Sequence, residues 1–261
     1  MIHLAREAGT QEDHTVWGSH LAPDTPQLVL AVRRYGSRDQ AWSLRLLGRA
    51  VARRLPGLRV SLACVGRDAP ALTEVMASAT SQSVVVPLWL SSTERTQRAL
   101  AQATALSRHP VQVAGPLGPD PLLADVLAWR LRAAGAQVGD PVVLAAPTPA
   151  ESDGHLDVGR AAAMLRARWN GAPVAIAYTA GSARTIDGAV RALRQTGAPR
   201  VAVAPWTLMP GTDAASVTMQ ARQAGVSAVA EPPGMHPLVL GLVVRRYLAA
   251  VEFRRGRVVA A

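Results

Sequence analysis

Val84-Val85-Val86-Pro87-Leu88-Trp89 and Val201-Ala202-Val203-Ala204-Pro205-Trp206 read as two versions of one apolar strand. Each precedes a glycine- and proline-rich turn, Gly115-Pro116-Leu117-Gly118-Pro119-Asp120-Pro121-Leu122 in the first case and Glu231-Pro232-Pro233-Gly234-Met235-His236-Pro237-Leu238 in the second. Trp89 matches Trp206 at an offset of 117 residues, and Gly118 and Pro121 match Gly234 and Pro237 at 116. Upstream, Leu28-Val29-Leu30-Ala31 matches Val142-Val143-Leu144-Ala145 at 114. Solenoid repeats have periods of roughly 20 to 50 residues, so this spacing implies an internally duplicated, domain-sized unit.

Within each unit, apolar runs alternate with amphipathic segments. The first half is expected to form strands near Leu28–Val32, Arg59–Ala63, Ser83–Leu88 and Val111–Ala114, with helices near Asp39–Leu55, Pro70–Ala79, Thr96–Ser107 and Pro121–Ala134. The second half repeats the order, with strands near Val142–Ala145, Val174–Tyr178, Arg200–Ala204 and Ser227–Ala230 and helices near Leu156–Trp169, Thr185–Thr196, Ala214–Ala224 and Pro237–Val251. Strands apolar on both faces indicate an α/β protein whose parallel sheets are covered on both sides by helices. Ligands in such sheets bind beyond the carboxyl ends of the strands.

At 261 residues and 49% hydrophobic, the chain can bury one large core or two small ones. Residues 1–25 read as a flexible acidic leader without the features of a signal peptide, residues 26–138 and 139–251 as two lobes, and residues 252–261 as a basic tail. No apolar run reaches the roughly 20 residues that span a bilayer, so no membrane partner is expected. Cys64 is the sole cysteine, which excludes an intramolecular disulfide and suits a cytoplasmic location.

All of the net charge of +10 derives from arginine, because none of the 28 Lys and Arg residues is a lysine. Guanidinium groups pair well with carboxylates and phosphates, which suggests an anionic partner. Much of the arginine is ordinary surface: Leu44, Leu47, Val51 and Leu55 mark one face of a helix and Arg45, Arg49 and Arg53 another. No aromatic residues interleave with these arginines for base stacking, so nucleic acid is a poor candidate.

The run Leu28 to Asp39, ending Arg34-Tyr35-Gly36-Ser37-Arg38-Asp39, resembles the opening of the sirohydrochlorin chelatase family, in which an apolar strand ends in Ala-His-Gly-Ser-Arg-Asp. Ala69-Pro70-Ala71-Leu72 is similar to the family's Ala-Pro-Ser-Leu, Val84 to Ser92 to its third strand and loop, and Gly118-Pro119-Asp120-Pro121 to the start of its last helix. The resemblance extends over about Gln27 to Ala250 and implies two tandem chelatase-like, flavodoxin-like parallel-sheet lobes, as in two-lobed actinobacterial-type members. It also implies a place in sirohaem or cobalamin metabolism, with cobalt or ferrous iron as the metal inserted if the chain is active.

Family members use two histidines and one acidic residue at the site. Here those positions are Tyr35, Arg95 and Gly66, with Asp68 a shifted acidic substitute. Tyrosine keeps its proton to about pH 10 and arginine to above about 12, so neither offers a ready lone pair to a metal near neutrality. Arg95 instead suits a carboxylate of a tetrapyrrole rim. Tyr35, Gly36, Ser37, Arg38, Ser91, Ser92 and Arg95 are the candidate substrate-binding residues, within an arginine-rich cleft that adds Arg33 and Arg34. An oxygen-rich metal set of Tyr35, Asp68 and Glu94 is a weaker possibility, and a plain polar helix start at Glu94-Arg95 is preferred to it. Gly36-Ser37-Arg38-Asp39 also reads as a simple strand-to-helix turn with Ser37 or Asp39 near the N-cap. His155 and His236 could converge on the second lobe's cleft, but each reads more simply as a capping or exposed residue.

Three functions follow: a chelatase-family protein that has lost metal insertion and binds an anionic tetrapyrrole or a partner, an active chelatase with a rebuilt ligand set, or an arginine-rich interaction module. Histidine at Tyr35 and Arg95 with an acid at Gly66 would restore the family's donor set.

Overall fold

The computed structural model describes residues 16–17, 25–66, 68–148 and 151–259. The first lobe runs β2 (Gln27–Val32), α1 (Arg38–Arg54), β3 (Val60–Cys64), α2 (Leu72–Ala77), β4 (Ser83–Pro87), α3 (Glu94–Thr104), β5 (Val111–Val113) and α4 (Pro121–Ala133). The second runs β6 (Val142–Ala146), α5 (Ser152–Arg168), β7 (Val174–Tyr178), α6 (Ile186–Gln195), β8 (Ala202–Pro205), α7 (Thr212–Gln223), β9 (Ala228–Val229) and α8 (Pro237–Val259). The sheets have the orders β3-β2-β4-β5 and β7-β6-β8-β9, all parallel, which is the order of a flavodoxin-like unit. A short strand β1 (Val16–Trp17) adds antiparallel to β3 at the edge of the first sheet.

Two of the expected end segments differ. Val16 and Trp17 pair with Ser61 and Val60, so this part of the leader is a strand, while the rest of residues 1–24 lies outside the described residues. The expected basic tail from Glu252 continues α8 as far as Val259.

Both faces of each sheet are covered. Leu28, Leu30, Val84 and Val86 face a core shared by the two lobes, whereas Val29, Ala31 and Val85 face α2 and α3 through Leu72, Met76, Leu100 and Ala103. In the second lobe Val143, Ala145 and Val203 face α6 and α7 through Val190, Leu193 and Val217. Helices α1, α4, α5 and α8 therefore form a central layer between the two sheets.

The last helices of the two halves exchange places. Helix α4 packs against β8 and α5, and α8 packs against β4, β5 and α1. The sequence division at 138/139 is thus crossed in space by both helices. Asp120, buried at the N-cap of α4, accepts the Leu122 N–H at 3.0 Å and pairs with Arg245 at 2.6 Å and Arg246 at 3.1 Å on α8. Tyr247 donates its hydroxyl to the Pro26 carbonyl at 2.8 Å.

The strand registers correct the expected pairing of the tryptophans. Leu28 lies beside Val84 and Val142 beside Ala202, so the structural offset at these strands is 118. Leu88 and Trp206 are the equivalent residues, donating to the carbonyls of Ala31 and Ala145, and Trp89 is equivalent to Thr207. A shift of one residue turns a strand side chain to the opposite face. Accordingly Trp89 packs with α2 and α3, while Trp206 enters the shared core.

Candidate functional site

The carboxyl ends of β2, β4, β6 and β8 converge on a cavity of about 410 Å³ between the lobes. Its apolar wall includes Leu88, Trp206, Leu208 and Met209, and its polar wall Arg33, Arg34, Ser91, Arg95, Thr207 and Asp213. The indole N–H of Trp206 donates to Ser91 Oγ at 3.0 Å, and the Thr207 hydroxyl is buried without a hydrogen-bond partner among the described residues. An apolar box with a few convergent polar groups is the usual form of a small-molecule site.

The arginines on this wall differ in their engagement. Arg34 forms an ion pair with Asp213 across the cleft at 3.0 Å. The guanidinium groups of Arg33 and Arg95 have no hydrogen-bond or ion-pair partner among the described residues. Burial lowers the Arg33 pKa from its ordinary value, with Asp213 opposing the shift and Arg34 adding to it. A cation on a cleft wall with no direct counter-ion favours an incoming anion.

The loops beside the cavity explain why the other candidate residues are absent from its wall. Gly36 takes a positive φ of 68° to turn the chain, and Ser37 caps α1 by accepting the Gln40 N–H at 3.2 Å. Gly36, Ser37 and Arg38 thus form the strand-to-helix turn, off the cavity wall. Tyr35 packs on the shared core, and its hydroxyl is buried with no hydrogen-bond partner among the described residues. Burial raises its pKa, with Cys64 and Asp68 adding and Arg45 opposing. Tyr35 does not line this cavity, and its ring packs on the apolar core instead.

Each of the two acidic candidates has a partner in a neighbouring loop or its own helix. Asp68 accepts the Tyr35 N–H at 2.7 Å, and Glu94 forms an ion pair with Arg98 one helical turn away. Among the described residues, no three His, Cys, Asp or Glu side chains cluster as metal ligands. Gly66 has no room for an acid: a Cβ there would lie 2.7 Å from the Arg33 carbonyl oxygen. Ser92 lines a separate groove, and its N–H is accepted by Asp157 at 2.9 Å.

The two histidines do not meet. His155 Nδ1 lies 2.7 Å from Tyr178 Oη, while the His236 ring packs 5.3 Å from that of Trp129. Sequence reading missed the second lobe's share of the site. Asp213 sits in Pro210-Gly211-Thr212-Asp213 at the start of α7, a visible acidic signal without a visible partner.

Comparison with known proteins agrees with this architecture. SirB from Bacillus subtilis with Fe3+ superposes with a TM-score of 0.73 at 14% identity, covering 89% of this chain and 98% of that one. CbiX, described as the terminal enzyme for biosynthesis of siroheme in denitrifying bacteria, gives a TM-score of 0.68 at 22% identity, covering 87% and 99%. DR2241 from Deinococcus radiodurans, a multi-domain protein with structural similarity to chelatases, gives 0.63 at 20% identity, covering 85% of this chain and 54% of that one. No curated protein matches the sequence significantly. The CbiX family model matches residues 28–134 and 150–250. With both lobes matched in sequence and the same fold in the solved chelatases, the chain belongs to the CbiX chelatase family.

Proposed function

We propose that this protein acts in tetrapyrrole metabolism by binding an anionic, sirohydrochlorin-like macrocycle in the interlobe cleft, without the donor set that metal insertion needs. The observation that carries this reading is the pair of uncompensated guanidinium groups, Arg33 and Arg95, on the wall of a cavity otherwise built from Leu88, Trp206, Leu208 and Met209. Apolar side chains suit the faces of a macrocycle and arginines its carboxylates. Metal insertion requires groups that take protons from the pyrrole nitrogens and hand over a cation. Two arginines at the same place oppose a cation and hold their protons near neutrality.

An anaerobic absorbance titration with sirohydrochlorin, followed by cobalt or ferrous iron beside a protein-free control, tests this function. Binding without faster metal insertion is the expected result, and acceleration over the control would show an active chelatase with a different donor set. Replacing Arg33 and Arg95 together by Gln should weaken binding about 10- to 100-fold and flatten its salt dependence. Arg38→Gln should leave the affinity unchanged, because Arg38 lies off the cavity wall. Equal effects from all three positions would point to general surface charge instead.

A further inference from the structure

The outer faces of the two sheets are covered differently. In the second lobe α7 packs on both β8 and β9, and Val229 of β9 lies against the cluster that holds Val217, Ala221 and Ala224. Val113 of β5 is the equivalent residue, since Val85 lies beside Val113 as Val203 lies beside Val229. Val113 is exposed, because α3 packs mainly on α2 rather than on β5. The one-residue register difference accounts for this: Trp89 turns its indole towards α3, against Leu100 and Ala103, where the second lobe has only Thr207 at the equivalent position. An indole needs more room than a threonine side chain, so the helix stands off the edge of the sheet.

The gap is a groove of about 530 Å³, within the ~300–1,000 Å³ typical of small-molecule sites. Leu100 and Ala101 of α3 line it from one side and Val111 and Val113 of β5 from the other, with Pro87 and Trp89 completing the apolar lining. None of the chain's 28 arginines and none of its acids is on that lining, in contrast to the interlobe cavity. The hydroxyl and amide side chains are engaged locally: Gln97 donates to Ser92 Oγ at 3.3 Å, Thr104 to the Leu100 carbonyl at 3.0 Å and Ser107 to the His109 carbonyl at 2.9 Å. The Trp89 indole N–H is not. Trp89 is only 4% exposed and its N–H has no acceptor among the described residues, whereas a buried indole ordinarily finds one.

We infer that the groove between α3 and β5 is a second ligand site, which takes a neutral, flat, apolar molecule whose hydrogen-bond acceptor receives the Trp89 indole N–H. Apolar walls beside an aromatic ring favour a flat apolar body, and the lack of charged side chains disfavours an anion. The unmet donor calls for a carbonyl or similar oxygen. Trp89 also borders the interlobe cavity, so the two sites share a wall. The groove's ligand differs in charge from the tetrapyrrole proposed for the cleft, and neither site depends on the other being occupied.

Prodan, a neutral naphthalene ketone whose emission reports both polarity and hydrogen bonding at its carbonyl, is a suitable probe for the full chain. It should bind saturably, with emission at shorter wavelength than in water. Ala101→Phe, at an exposed position of α3, should fill the groove and weaken binding about tenfold or more. Trp89→Phe keeps a ring in place but removes the donor, so affinity should fall about three- to tenfold and the bound probe should emit further to the blue. In the parent protein, the indole proton resonance of Trp89 should move downfield as prodan binds, a readout that needs no variant. Arg33→Gln combined with Arg95→Gln should leave the prodan affinity unchanged. Absence of saturable binding, or binding that survives Ala101→Phe, would overturn the site. Loss of binding in the double arginine variant would place the probe in the cleft and overturn it equally. Full affinity in Trp89→Phe together with an unmoved indole resonance would overturn the acceptor chemistry assigned to the ligand.

Discussion

Tyr35, Gly66 and Arg95 occupy the positions where the family resemblance implies two metal-binding histidines and an acid, and each has a different physical outcome. Arg95 faces the cavity with a free guanidinium, Tyr35 is packed away from it, and Gly66 is closed to any side chain. Restoring an acid at Gly66 therefore requires the backbone beside it to move. Gly66→Glu should lose about 1–3 kcal/mol in urea denaturation as the loop shifts away from the Arg33 carbonyl. Tyr35→Phe removes a buried hydroxyl that has no hydrogen-bond partner among the described residues, so stability should be unchanged or raised by about 1 kcal/mol, with tetrapyrrole affinity unaltered. A large loss of affinity in Tyr35→Phe would return that residue to the site.

Among the elements, α8 carries a pH-dependent start. His236 precedes Pro237, the first residue of the helix, and its Nδ1 accepts the Leu238 N–H at 3.2 Å. Burial lowers the His236 pKa, and Arg130 lowers it further. Accepting this bond requires an unprotonated Nδ1, and a cation is disfavoured at a helix start. The folded chain thus binds this proton less readily than the unfolded chain. The stabilisation is complete above the ordinary histidine value of about 6.5 and is lost as pH falls from there through the depressed folded value. His236→Asn keeps a capping acceptor without titrating, so the difference in stability between pH 7.5 and 5.5 should shrink in that variant. An unchanged difference would assign the acid sensitivity to other groups.

For the whole molecule, the exchange of α4 and α8 makes the lobes interdependent. Helix α8 covers β4 and β5 of the first lobe, and Asp120 ties it to the start of α4 through Arg245 and Arg246. Asp120→Ala removes both a cap and the carboxylate that pairs with these two arginines, and should lower stability by about 2–3 kcal/mol in thermal or urea unfolding. Ending the chain before Pro237 should expose Val84 and Val86 of the first lobe and unfold both lobes in one transition. Retention of a folded first lobe, judged by hydrogen exchange on β2 and β4, would show that the exchange is not needed for its stability.

The sequence alone determined the alternation of strands and helices, the two units and the chelatase family, because apolar strands, glycine turns and motif order are local features carried along the chain. Most element limits followed from the same local signals, as with the capping of α1 by Ser37. Only the tertiary structure decided that Trp89 and Trp206 are not equivalent, since a single-residue difference in register leaves an apolar pattern intact while turning the side chain to the other face. It also decided which arginines matter. Arg33, Arg34, Arg38 and Arg95 look alike in sequence, but the closing of one lobe on the other engages Arg34 with Asp213, leaves Arg33 and Arg95 open in the cavity and puts Arg38 outside its wall. Those assignments depend on contacts between residues more than a hundred positions apart, and no local pattern encodes them.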